Sequence, residues 1–145
     1  MATTYKYVFA EFKDKITDPD LLLFAEDLQT EFLISYLKKA IGRCHRNVEC
    51  VDLCAFDDEI MEFKDDIPYD IIDILTEWMT VFWLQPYVNN IENLRNSLST
   101  KDFSTFSPAN LLEKIEARFN NATRNSRSLT NEYSYIVADM KELKS

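Results

Sequence analysis

The chain has 145 residues but a single glycine, Gly42, where average usage of about 7% predicts about ten. Loops that hold phosphates or dinucleotides need several glycines, because their backbone must approach the ligand closely or adopt positive φ. The sequence therefore excludes these nucleotide-binding sites and favours a helical scaffold or interaction protein.

The sequence also lacks a long apolar run. The longest uncharged one, centred on Met79 to Leu84, is far shorter than the ~20 residues that cross a bilayer, and the first residues lack the order of an export signal. Cysteines are few and odd in number, namely Cys44, Cys50 and Cys54, so a disulfide framework is not expected. We expect a protein that is soluble, not exported and kept in a reducing cytoplasm.

Core-forming residues, by contrast, are plentiful. Hydrophobic residues make up 46% of the chain and aromatic residues 13%. A chain of this length buries about two thirds of its unfolded surface without disulfides or metals. We therefore expect one folded domain over residues 1–145.

Acidic residues are concentrated in the first half of the chain, and the net charge is −9. Residues 1–75 hold 17 Asp and Glu against 8 Lys and Arg, whereas residues 76–145 hold 8 against 8. Simple binding to duplex DNA is disfavoured, because affinity there comes from Lys and Arg that displace counterions. We expect a solvated acidic surface formed by Asp57, Asp58, Glu59, Glu62, Asp65 and Asp66.

Apolar residues spaced by three and four predict two amphipathic helices in the first third of the chain. The first is capped by Thr3 or Thr4 and ends at a turn over residues 17–20, after which residues 21–24 begin a new short element. The second helix runs from about Asp27 to Asn47. The buried faces are Tyr5, Val8, Phe9, Phe12 and Ile16 in the first helix, and Leu33, Tyr36, Leu37, Ala40, Ile41 and Cys44 in the second.

The middle of the chain combines an ambiguous segment with a central helix. Residues 50–64, within an irregular or hairpin segment near residues 48–65, allow a loop, a hairpin or a short helix. Asp66 is predicted to cap the next helix, with Pro68 in its first turn. That helix has apolar residues on several faces, so it should be central and buried. Pro86 predicts a kink or a break, after which the helix resumes through residues 88–98.

A seven-residue apolar rhythm follows a polar linker at residues 99–107. Ser107 and Pro108 are typical of a helix start, and a sustained rhythm predicts a long helix that lies along a partner helix. The Asn and Ser content of residues 120–128 favours a division of that helix in two. The positions of the rhythm are Leu112, Ile115, Phe119, Ala122, Ser126, Leu129, Tyr133, Ile136, Met140 and Leu143. The predicted fold is a mainly-α, single-domain helical bundle with this long C-terminal helix.

The side chains that are able to carry chemistry favour structural roles. Cys44, His45, Cys50 and Cys54 offer zinc ligands, but only the last two approach the spacing of a structural zinc site. Neighbouring residues on a helix point about 100° apart, so Cys44 and His45 do not form a nucleophile–base pair readily. The acidic segment lacks the alternating oxygen ligands and the glycine of a calcium loop. We expect no catalytic residue, no metal site and no cofactor.

Four short segments carry a resemblance to a known family. They are Lys15-Ile16-Thr17-Asp18 with Asp20-Leu21-Leu22, Tyr36-Leu37-Lys38-Lys39-Ala40-Ile41, Trp83-Leu84-Gln85-Pro86, and Lys101-Asp102-Phe103-Ser104-Thr105-Phe106-Ser107-Pro108-Ala109-Asn110. In order and spacing they resemble the small connector, or adaptor, proteins that join the portal of a tailed bacteriophage to its tail. The stretch from Cys44 to Asp66 departs from that family.

The resemblance implies a helical protomer that assembles, commonly as a twelvefold ring, beneath the portal and extends the DNA channel. It also implies a platform for the next neck or tail-completion protein, no catalysis, no membrane contact and no specific DNA binding. Such a protein is assembled in the host cytoplasm and resides in the virion at the head–tail junction. Because the C-terminal segment of such rings often reaches the portal, residues 108–145 are expected to form an arm. The expected partner-binding residues are Leu129, Tyr133, Ile136, Met140 and Leu143.

Two other functions stay open. An acidic inhibitor that mimics DNA would use residues 52–73 to imitate phosphates and occupy a nucleic-acid-binding protein. A hydrolase or nuclease would use His45 with the cysteines, or the acids with a metal ion. A large ring favours the connector, a small particle that competes with DNA favours the mimic, and activity that is lost in His45→Ala favours the enzyme.

Overall fold

The structure, a computed structural model, describes residues 2–48, 50–90 and 108–144, with side-chain surroundings at all of these except positions 24, 108–111 and 136–144. The described residues are mostly helical and form one mainly-α domain, which confirms the predicted fold class. The helices are α1 Tyr5–Asp14, α2 Pro19–Glu26, α3 Thr30–Cys44, α4 Tyr69–Asn89 and α5 Pro108–Lys144, with a 3₁₀ turn at His45–Asn47 and two strands, β1 Phe56–Asp57 and β2 Glu62–Phe63.

Helices α1 and α2 begin where the sequence predicts. Thr4 caps α1, and its hydroxyl accepts a hydrogen bond from the Tyr7 amide at 3.1 Å. Asp18 caps α2 by accepting from the Asp20 amide at 2.9 Å, and Pro19 opens that helix, where its missing N–H is no loss. All five predicted face residues of the first helix are buried, namely Tyr5, Val8, Phe9, Phe12 and Ile16.

Helix α3 is shorter than predicted at both ends. It begins at Thr30 because Asp27 is the C-cap of α2, and the Leu28 amide still bonds back to the Ala25 carbonyl at 3.2 Å. At the other end His45–Asn47 form a 3₁₀ turn rather than α-helix. The predicted face is confirmed, with Tyr36 half-buried and the rest buried: Leu33, Leu37, Ala40, Ile41 and Cys44.

The ambiguous segment forms a small antiparallel hairpin. Its turn contains Met61 at φ 55°, in the left-handed region that few residues other than glycine adopt. The N-terminal segment then holds the hairpin against the body: the Phe63 amide donates to the Thr3 carbonyl at 2.8 Å, and the Tyr5 amide donates to the Met61 carbonyl at 2.9 Å. The strand pairs are Phe56 with Phe63 and Asp57 with Glu62.

The start of α4 differs from the prediction. The helix begins at Tyr69, and Pro68 occupies the N-cap position. Asp66 instead accepts a hydrogen bond from the Thr3 hydroxyl at 3.2 Å, while the same hydroxyl accepts from the Ile67 amide at 2.8 Å. The predicted Asp66 N-cap is therefore wrong, because a contact with the N-terminal segment engages that carboxylate.

Helix α4 is the centre of the molecule, as predicted. Helices α1, α3 and α5 all pack against it, and from residue 71 to residue 84 all residues are buried except Asp73 and Phe82, which are half-buried. Phe12 of α1 meets Trp83 edge-to-face, with ring centroids 5.7 Å apart. Pro86 does not break the helix, which continues to Asn89. Positions 91–98, where the helix was predicted to resume, lie outside the described residues.

Helix α5 is continuous from Pro108 to Lys144, a length of ~55 Å at 1.5 Å per residue. The predicted start at Pro108 is confirmed, and the predicted division within residues 120–128 is wrong. Packing overrides weak helix propensity there, because Ala122 and Ser126 are both fully buried. The linker at residues 99–107 lies outside the described residues. Among the described helices, none combines the length and the apolar character that a membrane crossing requires.

Candidate partner-binding site

We call the ten positions of the seven-residue rhythm the apolar seam of α5. The first seven of these positions lie against the chain's own core. Four of these residues are buried and three are half-buried against the core. Leu129 and Tyr133, which were expected to bind a partner, are among the half-buried ones. The buried residues are Leu112, Ile115, Ala122 and Ser126, and the half-buried ones are Phe119, Leu129 and Tyr133.

Hydrogen bonds fix the position of α5 towards the end of this contact. The Trp78 indole donates to the Thr130 hydroxyl at 3.2 Å, and that hydroxyl donates to the Ser126 carbonyl at 2.7 Å. The Tyr133 hydroxyl donates to the Cys50 sulfur at 3.1 Å. Helix α5 is thus tied both to α4 and to the loop that follows the 3₁₀ turn.

Ion pairs position the first turns of α5. The Lys114 ammonium lies 2.9 Å from Asp20 and 3.5 Å from Asp18, and its hydrogen bond to Asp20 raises the pKa of Lys114. Four residues further on, Arg118 lies 3.4 Å from Glu77 of α4. The Lys114 pairs are largely exposed and pairs of that kind contribute little free energy, so they mainly orient the helix.

Beyond Tyr133, α5 continues for 11 residues to Lys144, or ~16 Å. Tyr135 is 73% exposed. The remaining predicted partner-binding residues, Ile136, Met140 and Leu143, belong to this part of the helix, and their side chains lie outside the described ones. The seven-residue rhythm of the sequence continues through them.

The predicted acidic surface lies on the hairpin and the chain that follows it. Four of its six residues are exposed and two are half-buried. Asp57 closes a local turn by accepting from the Glu59 amide at 2.9 Å, whereas Asp66 accepts from Thr3 of the N-terminal segment. The exposed residues are Asp58, Glu59, Asp65 and Asp66, and the half-buried ones are Asp57 and Glu62.

Asp58 is more than a solvated charge. It accepts hydrogen bonds of 2.8 Å from the Tyr5 hydroxyl and from the Lys38 ammonium, and these bonds, Lys38 first, lower the pKa of Asp58. Burial, followed by the contact with Asp58, raises the pKa of Tyr5. The Lys38 ammonium also lies 3.6 Å from the Phe56 ring centre. Asp58 therefore joins the hairpin to α1 and α3, which corrects the expectation of a purely solvated surface.

The cysteines and the histidine occupy different environments. Cys44 is fully buried, and burial raises the pKa of its thiol to about 12, so it is a neutral core residue at physiological pH. Cys50 and Cys54 are exposed, and His45 opens the 3₁₀ turn. Within residues 2–48, 50–90 and 108–144, no group of three His, Cys, Asp or Glu side chains is placed to hold a metal ion.

A charged cluster lies beneath α5 that was not predicted from the sequence. Glu77 is 7% exposed, and one of its oxygens lies 3.4 Å from both Lys15 and Arg118. Lys15 also forms an ion pair with Asp73. A cavity of about 270 Å³ adjoins this cluster. The signal in the sequence was Glu77 itself, the one charged residue of α4 after Asp73.

Comparison of the chain with protein-family models, with curated proteins and with solved structures found no match.

Proposed function

We propose that the chain is a structural subunit of the connector between the head and the tail of a tailed bacteriophage. The subunit joins a ring beneath the portal, twelvefold as in the proteins it resembles, extends the DNA channel and presents a surface to the next neck or tail-completion protein. It is assembled in the host cytoplasm and resides in the virion at the head–tail junction. It performs no catalysis and takes no cofactor, and DNA passes without specific binding.

The observation that carries this proposal is the end of α5. The apolar seam packs in cis as far as Tyr133, while the helix runs ~16 Å further with the apolar rhythm unbroken in the sequence. An apolar stripe on a small domain needs a neighbour to cover it. We assign Ile136, Met140 and Leu143 to a partner protein or a neighbouring subunit, and the half-buried Leu129 and Tyr133 to the boundary between the chain's own core and that partner.

The acidic hairpin supports the same proposal. The side chains of Glu59 and Asp65 are exposed, and a net charge of −9 accompanies them. Acidic groups that face a channel repel DNA and so keep it mobile. In this proposal the hairpin faces the channel.

The alternative is an acidic inhibitor that mimics DNA, and the exposed carboxylates of the hairpin are the observation that favours it. The ion pair between Lys38 and Asp58, 2.8 Å long, counts against this alternative. A carboxylate that imitates a DNA phosphate needs a charge that no neighbouring lysine compensates. Assembly separates the two proposals, because a mimic acts as a small particle.

Ring formation tests the proposal. Native mass spectrometry and negative-stain imaging, with the chain alone and with the portal protein of the same phage, should reveal large rings. The double variant Ile136→Asp with Met140→Asp should abolish them while circular dichroism and the melting temperature stay unchanged. Ala138→Asp is the control, because it adds one such charge about 200° around the helix from Ile136, and it should still assemble.

Two results would contradict the connector. A wild-type monomer or dimer that competes with DNA for an enzyme would favour the mimic. Global unfolding of the double variant would mean that the end of the seam is internal core rather than a partner surface.

A further inference from the structure

A cavity of about 270 Å³ lies between α1, α4 and α5. It extends from the buried Glu77 to the exposed side chains of Asn125 and Ser128, so solvent reaches it from the α5 side. All of its lining residues except Leu129 carry polar side chains. The six lining residues are Lys15, Asp73, Glu77, Asn125, Ser128 and Leu129.

Within the described part of the chain, only one oxygen of the Glu77 carboxylate has hydrogen-bond donors. Both of its contacts, with Lys15 and Arg118, are 3.4 Å long and involve the same oxygen, whereas charge-assisted hydrogen bonds measure about 2.7–2.9 Å. Among the residues that the structure describes, none donates a hydrogen bond to Glu77 Oε2, which is itself buried. The terminal torsion of a glutamate is broad, so the carboxylate is able to turn this oxygen towards a donor in the cavity.

The cavity already accommodates one ammonium group. Lys15 donates to the Asp73 carbonyl at 3.0 Å, to the Asp73 carboxylate and to Glu77 Oε1. A divalent cation prefers six or more oxygen ligands with several carboxylates, and no cluster of three acidic, His or Cys side chains exists within the described parts of the chain. Leu129 provides an apolar wall beside these acceptors.

We propose that this cavity binds a small primary alkylammonium compound. Its ammonium donates to Glu77 Oε2, the oxygen to which no described residue donates, and its alkyl chain lies against Leu129. Such a ligand bridges α4 and α5, so its binding stabilises the docked position of α5. The site exists within one chain and does not depend on ring formation.

Amide-resolved NMR titration of the labelled full chain tests this site. The probe is butylammonium chloride; 1-butanol is the neutral isostere, and tetramethylammonium chloride is a cation without N–H donors, added at matched ionic strength. We expect saturable shift changes at the amides of Glu77, Asn125 and Ser128 with butylammonium alone, and a dissociation constant in the millimolar range, on the order of one charge-assisted contact.

Variants localise the binding. Glu77→Gln should weaken it about tenfold or more, since it removes a charge-assisted hydrogen bond, while Glu59→Gln on the exposed hairpin is the matched control and should leave it unchanged. Ser128→Leu should block the entrance without touching the buried charge, so the test holds even where Glu77→Gln fails to fold.

Three outcomes would overturn the proposal. Shifts that never saturate, or equal shifts with 1-butanol or tetramethylammonium, would indicate a general solvent effect. Unchanged affinity in both Glu77→Gln and Ser128→Leu would place the ligand elsewhere. The absence of any butylammonium effect would mean that the cavity holds water only.

Discussion

Two carboxylates of the molecule, Asp58 and Glu77, are held in opposite ways. The Asp58 side chain is 56% exposed, yet it accepts two hydrogen bonds of 2.8 Å, one from a tyrosine and one from a lysine. The Glu77 side chain is 9% exposed, yet its contacts with a lysine and an arginine are 3.4 Å long and share one oxygen. Water compensates a charge at the surface but not in the interior. If charge stabilisation alone decided the contacts, the buried Glu77 would have the short hydrogen bonds and the exposed Asp58 the long ones.

The Asp58 carboxylate has a structural role, whereas the Glu77 carboxylate still has an oxygen that can accept a hydrogen bond. Asp58 joins three parts of the fold, the hairpin, α1 and α3, and its hydrogen bonds are already made. Glu77 lies where α1, α4 and α5 meet and retains an oxygen for another donor. Its compensation depends on Lys15, so the two sites should respond differently when a partner is removed.

Removal of Lys15 should have the largest effect. Lys15→Met leaves the buried Glu77 with a single long contact to Arg118, and breaking a buried ion pair costs about 3 kcal/mol. Urea denaturation should reveal a loss of that size. Lys6→Met, at an exposed position on the same helix, is the matched control and should change stability by less than about 0.5 kcal/mol. Equal losses in the two variants would mean that Glu77 does not need this compensation.

Removal of the Tyr5 hydroxyl should have a smaller effect. Tyr5→Phe deletes the donor to Asp58 but leaves that carboxylate in contact with water and with Lys38, so the expected loss is about 1 kcal/mol. The same denaturation experiment checks it, with Tyr7→Phe at a 45% exposed position as the control. A loss as large as that of Lys15→Met would remove the contrast between the two carboxylates.

The smallest effect concerns pH. Contacts with Lys38 and Tyr5 lower the pKa of Asp58 from its ordinary value of 3.8. Its contribution to stability is therefore present above the unfolded-state pKa and is lost as the pH falls through the folded-state pKa. Melting temperatures of the wild type and Asp58→Asn should differ at about pH 6 and converge once the pH has fallen below the folded-state pKa, which is lower than 3.8. A difference that persists unchanged into stronger acid would assign the stabilisation to something other than this charge.

Most of the helices could be predicted from the sequence because apolar spacing and capping residues involve only residues that are close together in the chain. The spacing of Tyr5, Val8 and Phe12 and the Asp18–Pro19 start depend on neighbours within one or two turns. The hairpin stayed undecided because residues more than fifty positions away hold it, chiefly Thr3. The same long-range contact explains the wrong N-cap at Asp66.

The candidate site was predictable only in part. The first seven positions of the α5 rhythm are buried or half-buried, as the pattern predicts, but a periodic pattern does not say whether the helix that covers them belongs to the same chain. Helix α4 has apolar residues on all sides. Its sequence therefore has no polar face from which the burial of Glu77 could be predicted. Its partners Lys15 and Arg118 lie 62 and 41 positions away in the sequence, beyond the reach of any local signal.

Both tryptophans of the chain lie on α4, but they have different neighbours. Trp83 is 1% exposed and packs on Phe12 of α1, whereas Trp78 donates to Thr130 of α5. Substituting Phe for Trp83 leaves Trp78, at the α5 contact, as the single tryptophan of the chain. The fluorescence emission of the Trp78 indole then reports whether α5 is packed against α4 or has dissociated from it, and no attached dye is needed.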